Sequence, residues 1–177
     1  MIVVESRLKL KVNRDKSAVA RPWQRKFLGY TVTRDAKLKV APESVKRLKA
    51  KLKPILRRGR GNSLARTIEI LTPKIRGWVA YFQRVGSTSE FEHLDVWVRQ
   101  KIRCILWKHW KQPRTRALEL RRRGLPAQQA WPSAYNGRGH WWNAGALHMR
   151  QAVPVHTLKA LGLLSFLGEI QRLQTAS

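Results

Sequence analysis

The residues of this sequence that are best suited to chemistry are basic and aromatic, a combination that favours binding over reaction. Lysine and arginine number 37 against 10 acidic residues, so the formal net charge is +27. Such an excess makes nucleic acid the default partner, because a bound polyanion relieves the self-repulsion of the folded chain. Basic residues, tryptophans and apolar residues at helical spacing are densest together in residues 71–110. We expect this stretch to carry the binding surface.

The other titratable residues predict no site for a metal or a cofactor and no catalytic residue. Cys104 is the single cysteine, and the five histidines form no C-x-x-C or H-x3-H pattern around it. The chain opens without a charged-then-apolar signal and contains no apolar run of about 18 residues, the length that a membrane helix needs. We therefore expect a cytoplasmic protein with no membrane partner.

Two amphipathic helices must position the residues of this stretch. Apolar residues recur at steps of three and four in both halves: Ile68, Leu71, Ile75, Trp78 and Phe82, then Phe91, Leu94, Val98, Ile102 and Ile105. Pro73 predicts that the first helix begins near Thr72, and Gly86 lies where a C-terminal cap would end it. Ser89 and Glu92 form a capping-box pattern at the start of the second helix. Together the two helices predict a hairpin.

Strands and a basic helix are predicted before this hairpin. Alternating apolar and polar residues predict strands at 7–12, 27–33 and 37–40, and Gly29 within the second favours a β-bulge over close approach by another backbone. Pro42 suits the first turn of a helix with a basic face, which Pro54 should kink or shorten.

Short helices and one irregular segment are predicted after Trp110. The sequence favours a helix at 114–123 ended by Gly124, another turn of helix from Pro126, and no regular structure at 133–145. Two further short helices are separated by Gly162, and Ser165 is placed to cap the second.

Candidate nucleic-acid contacts are basic residues off the apolar stripes, together with aromatic residues that can stack on unpaired bases. The candidates are Lys46, Lys49, Lys53, Arg57, Arg76, Tyr81, Arg99, Arg103, Trp107, Lys108 and Lys111. Trp141 and Trp142 are further candidates for stacking, because two successive tryptophans cannot both face one way on a helix. Trp78 and Phe82 lie on an apolar stripe, so we expect them in the core.

Four segments, LKLKVNRDKS, FLGYTVT, IRGWVAYF and LDVWVRQKIRCILWKHWK, resemble in sequence and order the C-terminal portion of group II intron reverse transcriptase/maturases. The resemblance implies a mainly α fold, in which a helical bundle of the maturase or thumb type at 42–177 follows a palm-derived β segment at 1–41. This β segment would be a small hairpin remnant of the palm. It would include the strand hairpin that grips a primer strand, with Phe27, Leu28, Gly29 and Tyr30 in that role.

The same resemblance implies a function on group II intron RNA, the RNA of a mobile element. Maturases of this type bind the intron and help it to reach the conformation that splices itself. Relatives that act as RNA-directed DNA polymerases hold two metal ions with the paired aspartates of a Y-x-D-D loop. No aspartate pair occurs here, and Met1 falls downstream of that loop, so we expect no polymerase activity. Nor do we expect an endonuclease domain, since no Cys-pair and His-Asn arrangement follows.

Three functions of different classes stay open at this point. The first is an RNA-binding splicing cofactor that acts without a polymerase site. The second is the C-terminal fragment of a split or truncated reverse transcriptase, whose partner would be a separate chain carrying the palm. The third is a non-functional remnant or a general nucleic-acid binder.

Overall fold

A computed structural model of the chain describes residues 21, 23, 25–58 and 63–176. Within these residues, nine α-helices follow one small three-stranded antiparallel sheet. The predicted mainly α fold is therefore confirmed. The strand predicted at 7–12 lies outside the described residues.

The sheet is built from a tight hairpin and a third strand. Strands β1 (Lys26–Phe27), β2 (Tyr30–Val32) and β3 (Leu38–Val40) pair in chain order. Leu28 and Gly29 join the first two with φ angles of 49° and 81°, and a type I′ turn requires positive φ at both of these positions. The single strand predicted at 27–33 is therefore wrong, and Gly29 belongs to a turn and not to a bulge.

Two long helices continue through their prolines without a break. Helix α1 (Pro42–Arg58) contains Pro54, and helix α2 (Leu64–Tyr81) contains Pro73. Both prolines are exposed, so the carbonyl groups that lose a donor lie in exposed turns. The predicted start near Thr72 is wrong, because Ser63 caps the helix by accepting a hydrogen bond from the Arg66 backbone N–H at 3.2 Å.

The connection to the third long helix also differs from the prediction. The N-cap of helix α3 (Ser89–His109) is Thr88, whose side chain makes no capping hydrogen bond. The capping box predicted for Ser89 and Glu92 is therefore wrong. Gly86 does not end α2, which stops at Tyr81. The backbone N–H of Gly86 donates to the Leu38 carbonyl at 2.9 Å and thereby joins the α2–α3 connection to the sheet.

Six shorter helices complete the described part of the chain. They are α4 (Pro113–Arg122), α5 (Ala127–Ala134), α6 (His140–Gly145), α7 (Leu147–Ala152), α8 (Val155–Ala160) and α9 (Phe166–Thr175). Gly124, at φ 92°, follows α4, and the Ser165 side chain caps α9 by accepting from the Gly168 N–H, both as predicted. The segment 133–145 is not irregular throughout, because α6 forms within it.

Helix α3 lies at the centre of the core. It packs against α1, α2, α6 and α9. The largest side chains with almost no exposure include Trp107 and Phe91 of α3 and Phe166 of α9. Among the helices described, none is long and apolar enough to span a membrane.

Candidate nucleic-acid interface

Helices α1 and α3 pack side by side, and basic residues from both line the groove between them. This α1–α3 groove has a volume of about 210 Å³. Its lining residues are Lys53, Leu56 and Arg57 of α1 with Lys101, Cys104, Ile105, Lys108 and His109 of α3. Leu56 and Ile105 also belong to the hydrophobic core, so the base of the groove is part of that core.

Within the part of the chain that the structure describes, the four cations of Lys53, Arg57, Lys101 and Lys108 have no neutralising carboxylate. Other basic residues have one: Arg66 pairs with Glu69 and Arg123 with Glu119. No carboxylate of the described residues lies within ion-pair distance of the four groove cations. Several like charges held in one concave surface create a positive potential, which attracts an anion.

Three of these four cations were among the candidates for RNA contact, and Lys101 was not. Its position follows from helical geometry, because Trp97, Lys101, Cys104 and Lys108 are spaced by four, three and four residues. That spacing defines one face of α3, which borders α1. Arg99, another candidate, lies nine residues from Lys108 and therefore about 180° away around the helix.

Cation–π contacts extend the α1–α3 groove towards α6. The Lys49 Nζ lies 5.7 Å from the centre of the Trp97 ring, and the Lys101 Nζ lies 5.9 Å from the same centre. Lys101 also lies over the Trp141 ring of α6, at 4.3 Å. These contacts place Lys49, a predicted candidate, beside the groove, and add two tryptophans to its surroundings.

Arg103 does not lie on the solvent side of α3, so the exposure expected for it is wrong. The side chain is buried, and its Nε donates a hydrogen bond of 2.9 Å to the Val153 carbonyl. Burial lowers the pKa of the guanidinium, with smaller contributions from Arg99 and Arg150. Position 103 adjoins the apolar stripe at Ile102, and the chain after α7 covers it. Arg103 is therefore a structural residue.

Trp107 was a candidate for base stacking, but it belongs to the core. Only 1% of its surface is exposed. Its ring packs 5.4 Å from that of His148, and the Arg116 guanidinium covers it at 4.9 Å. A base cannot reach this ring unless the surrounding structure unfolds. The prediction that Trp107 is exposed for stacking is therefore wrong.

Two of the four predicted primer-grip residues, Leu28 and Gly29, line a second cleft of about 390 Å³ together with Tyr81. The Tyr81 Oη donates to the Leu28 carbonyl at 2.9 Å, and the Tyr30 Oη donates to the Tyr81 carbonyl at 2.5 Å. Arg47 and Lys51 of α1, which were not candidates, also line this cleft. Two of the resembling segments, FLGYTVT and IRGWVAYF, are thus joined in space.

Gly29 is needed where the turn meets the helices. A Cβ atom at this position would lie 2.8 Å from the Ser44 Oγ and 3.2 Å from the Phe82 ring, besides being strained at φ 81°. The close approach therefore involves side chains of this chain, not another backbone. Phe27 and Leu28 at the tip of the turn are 76% and 66% exposed. Primer contact by these residues stays a prediction.

The remaining candidates lie elsewhere on the surface. Arg76 is exposed, but its Nε lies 3.5 Å from the buried Glu169 carboxylate, which also accepts from Arg172 at 2.7 Å. The hydrogen bonds from Arg172 are the main reason why the pKa of Glu169 is lowered. Lys46 and Lys111 are exposed outside both clefts. RNA contact by these three residues stays a prediction.

A helical bundle with an uncompensated basic groove is typical of a protein that binds nucleic acid. Residues 45–124 match the family model for the group II intron, maturase-specific domain, and the chain therefore contains a C-terminal region of the group II intron maturase type. The match includes both helices of the α1–α3 groove, whereas α5 to α9 lie outside it. It supports a maturase-type role in group II intron splicing and implies interaction with intron RNA. No curated protein matches the chain.

Proposed function

We propose that the protein binds group II intron RNA in the α1–α3 groove and acts as a splicing cofactor that helps this RNA to fold. One observation carries the proposal. Four cations without a carboxylate partner in the described part of the chain converge between two helices of the maturase-specific segment. The lone buried Cys104 fits a reducing compartment, and we propose that the protein acts in the cytoplasm.

The groove suits the backbone of RNA better than its base edges. Lysine and arginine side chains that meet phosphates supply affinity and fix the orientation of the bound strand, but they carry little sequence information. Selectivity for structured RNA must come from shape and from stacking on unpaired bases. Exposed aromatic residues beside the groove could supply such stacking.

We further propose that this chain has no polymerase activity of its own. Two metal ions for phosphoryl transfer need closely placed carboxylates, and the ten acidic residues include no aspartate pair. A primer-extension assay on a primed RNA template with Mg²⁺ should show no incorporation. Template-dependent incorporation above the level of a mock preparation would contradict this.

A charge-reversal experiment tests the groove. The variant Lys53→Glu/Lys101→Glu/Lys108→Glu should make the slope of log binding constant against log salt concentration shallower by about 2 to 3. This value assumes that each of the three residues meets one phosphate and contributes about 0.7 to 0.9 to the slope. The control Lys37→Glu/Lys74→Glu/Lys159→Glu changes net charge equally at exposed lysines outside the groove. Its salt dependence for a group II intron transcript should stay close to that of the wild type.

The two triple variants separate a dedicated interface from a general attraction. Thermal melts should show both variants folded, because their side chains are not buried. Equal losses of salt dependence in both would indicate a general nucleic-acid binder. The cofactor role adds a second measurement: the wild type should accelerate self-splicing of the transcript at low Mg²⁺, and the groove variant should not.

The exposed tip of the β1–β2 turn favours a second candidate function, that of a fragment which completes a separate palm chain. Leu28 presents apolar surface in the cleft that Arg47 and Lys51 also line, and its neighbour Phe27 is exposed, a combination suited to a primer strand or to another protein. Adding the protein to a reverse transcriptase that lacks its thumb should then restore primer extension. Phe27→Ser/Leu28→Asn should abolish the restoration, while binding to the intron transcript persists.

A further inference from the structure

Trp141 lies beside the α1–α3 groove, on a helix outside the maturase-specific segment. Its side chain is 44% exposed, and the Lys101 Nζ lies 4.3 Å from its ring centre. Lys101 lines the groove at the same time. One ammonium group thus connects the cations of the groove to an exposed indole.

Helix α6, which carries Trp141, is held firmly against α3. The Gln100 Nε2 donates to the Trp141 carbonyl at 3.2 Å. Gly145 lets Gln100 approach, because a Cβ atom there would lie 2.7 Å from the Gln100 Nε2. The buried Asn143 amide donates to the Arg138 carbonyl at 2.9 Å and to that of Gly139 at 3.2 Å. The indole is therefore presented in a fixed place, which lowers the entropy cost of binding.

We propose that Trp141 stacks on an unpaired nucleotide of the bound RNA, so that the groove and Trp141 together select a duplex interrupted by such a nucleotide. This inference rests on the proposed function of the α1–α3 groove. It adds a residue outside the family segment and names the RNA feature that is recognised.

The chemistry of a nucleotide matches the two parts of this site. Bases inside a continuous duplex are covered on both faces by their neighbours, so an indole can stack only on a base that has left the helix. A phosphate beside that base meets the Lys101 ammonium, and the base meets the ring. Exposed aromatic stacking of this kind tolerates any base, because every base has a π-face.

Two hairpin RNAs with the same stem test the inference, one continuous and one with a single bulged 2-aminopurine. The wild type should bind the bulged RNA about tenfold more tightly, within the range measured for loss of one stacking aromatic, and should quench the 2-aminopurine fluorescence. Trp141→Ala should lose the preference and the quenching, and should bind the continuous stem within about twofold of the wild type. Trp141→Phe should retain most of both.

Trp131→Ala is the matched control, because Trp131 is also an exposed tryptophan but stacks on Tyr135 at 6.0 Å, whereas Trp141 contacts the groove residue Lys101. It should bind both RNAs as the wild type does. An absence of quenching by the wild type, or a Trp141→Ala variant that keeps the preference, would overturn the inference. The quenching test needs no variant, so it holds even if Trp141→Ala fails to fold.

The groove variant distinguishes this inference from the function on which it rests. Lys53→Glu/Lys101→Glu/Lys108→Glu should weaken binding of both RNAs. If it does so while Trp141→Ala behaves as the wild type, the groove stands and the role of Trp141 falls. If the wild type binds neither RNA in a salt-dependent way, both fall.

Discussion

The two sides of helix α3 carry similar residue types but use their charges differently. On the side facing α1, Lys101 and Lys108 line a groove and have no carboxylate partner in the part of the chain that the structure describes. On the opposite side, Asp95 and Arg103 are buried and bound to backbone groups of the C-terminal region. The element that packs against a charged residue therefore decides whether that charge serves the fold or remains for a ligand.

The opposite side is a set of polar contacts that fastens the C-terminal helices to α3. The Asp95 carboxylate accepts hydrogen bonds from the Phe166 N–H at 2.8 Å, the Leu167 N–H at 3.2 Å and the Ser165 Oγ at 2.6 Å. These donors belong to the start of α9, where a negative charge also complements the helix dipole. Arg103 likewise holds the chain after α7, because it donates a hydrogen bond to the Val153 carbonyl.

The largest difference between the two sides should appear in the stability of two matched alanine variants. Arg103→Ala should lower the free energy of unfolding by about 2 to 4 kcal/mol, because the buried Val153 carbonyl loses its donor and the aliphatic stem leaves a cavity. Lys101→Ala should change it by about 0.5 kcal/mol or less. Urea unfolding measures both values.

RNA binding should show the reverse order for the same two variants. Lys101→Ala should lower the salt dependence by about 0.7 to 0.9, the value for one phosphate contact, and Arg103→Ala should leave it unchanged under conditions where it is folded. An Arg103→Ala protein as stable as the wild type would mean that the two sides of α3 do not differ as described.

Much of the fold follows from local sequence patterns. The apolar stripes identify α1, α2 and α3, although not the two ends of α2, and Gly124, Gly162 and Ser165 mark helix boundaries where the structure has them. These signals are local, because a stripe, a left-handed glycine or a cap depends on residues within a few positions.

The parts that could not be predicted depend on distant contacts. Arg103 has the spacing of a flanking residue, and only the chain after α7, 50 residues away, buries it. Helix α6 is six residues long and shows no stripe of its own; Gln100 and the buried Asn143 fix it. For the candidate site, Lys53, Arg57 and Lys108 could be named, but their convergence with Lys101 required the packing of α1 on α3.

A smaller loss of stability should follow removal of the Asp95 carboxylate. Asp95→Ala should cost about 2 kcal/mol, since hydrogen bonds to a charged group contribute about 1.5 to 3 kcal/mol and water can reach part of the vacated site. Asp35→Ala, at an exposed aspartate of the β2–β3 turn, is the control and should cost about 0.5 kcal/mol or less. Hydrogen exchange should also speed up at α9 in the Asp95 variant. If the hydrogen-exchange rate rose equally in all helices, Asp95 would not act by holding α9 against α3.

The smallest expected effect is a pH dependence that comes from the buried side of α3. His148 packs on Trp107, and burial lowers the pKa of its imidazole. The His148 Nε2 and the Trp107 Nε1 are buried without a hydrogen-bond partner among the described residues, so nothing there favours a charged imidazole. The folded protein therefore keeps His148 neutral at a pH where the unfolded chain already binds a proton.

The sign of the pH effect follows from this difference in proton binding. The contribution of His148 to stability is complete above the ordinary histidine pKa of about 6.5 and is lost as the pH falls from there towards the lowered folded-state value. The loss cannot exceed about 1.4 kcal/mol per pH unit for one group.

His148→Phe keeps a ring against Trp107 but cannot titrate. Urea unfolding at pH 7.5 and 5.5 should therefore show a larger decrease in stability for the wild type than for the variant, because all other groups titrate alike in both. Equal decreases would mean that His148 is charged in the folded protein, and the packing on this side of α3 would then have to include an acceptor for its second proton.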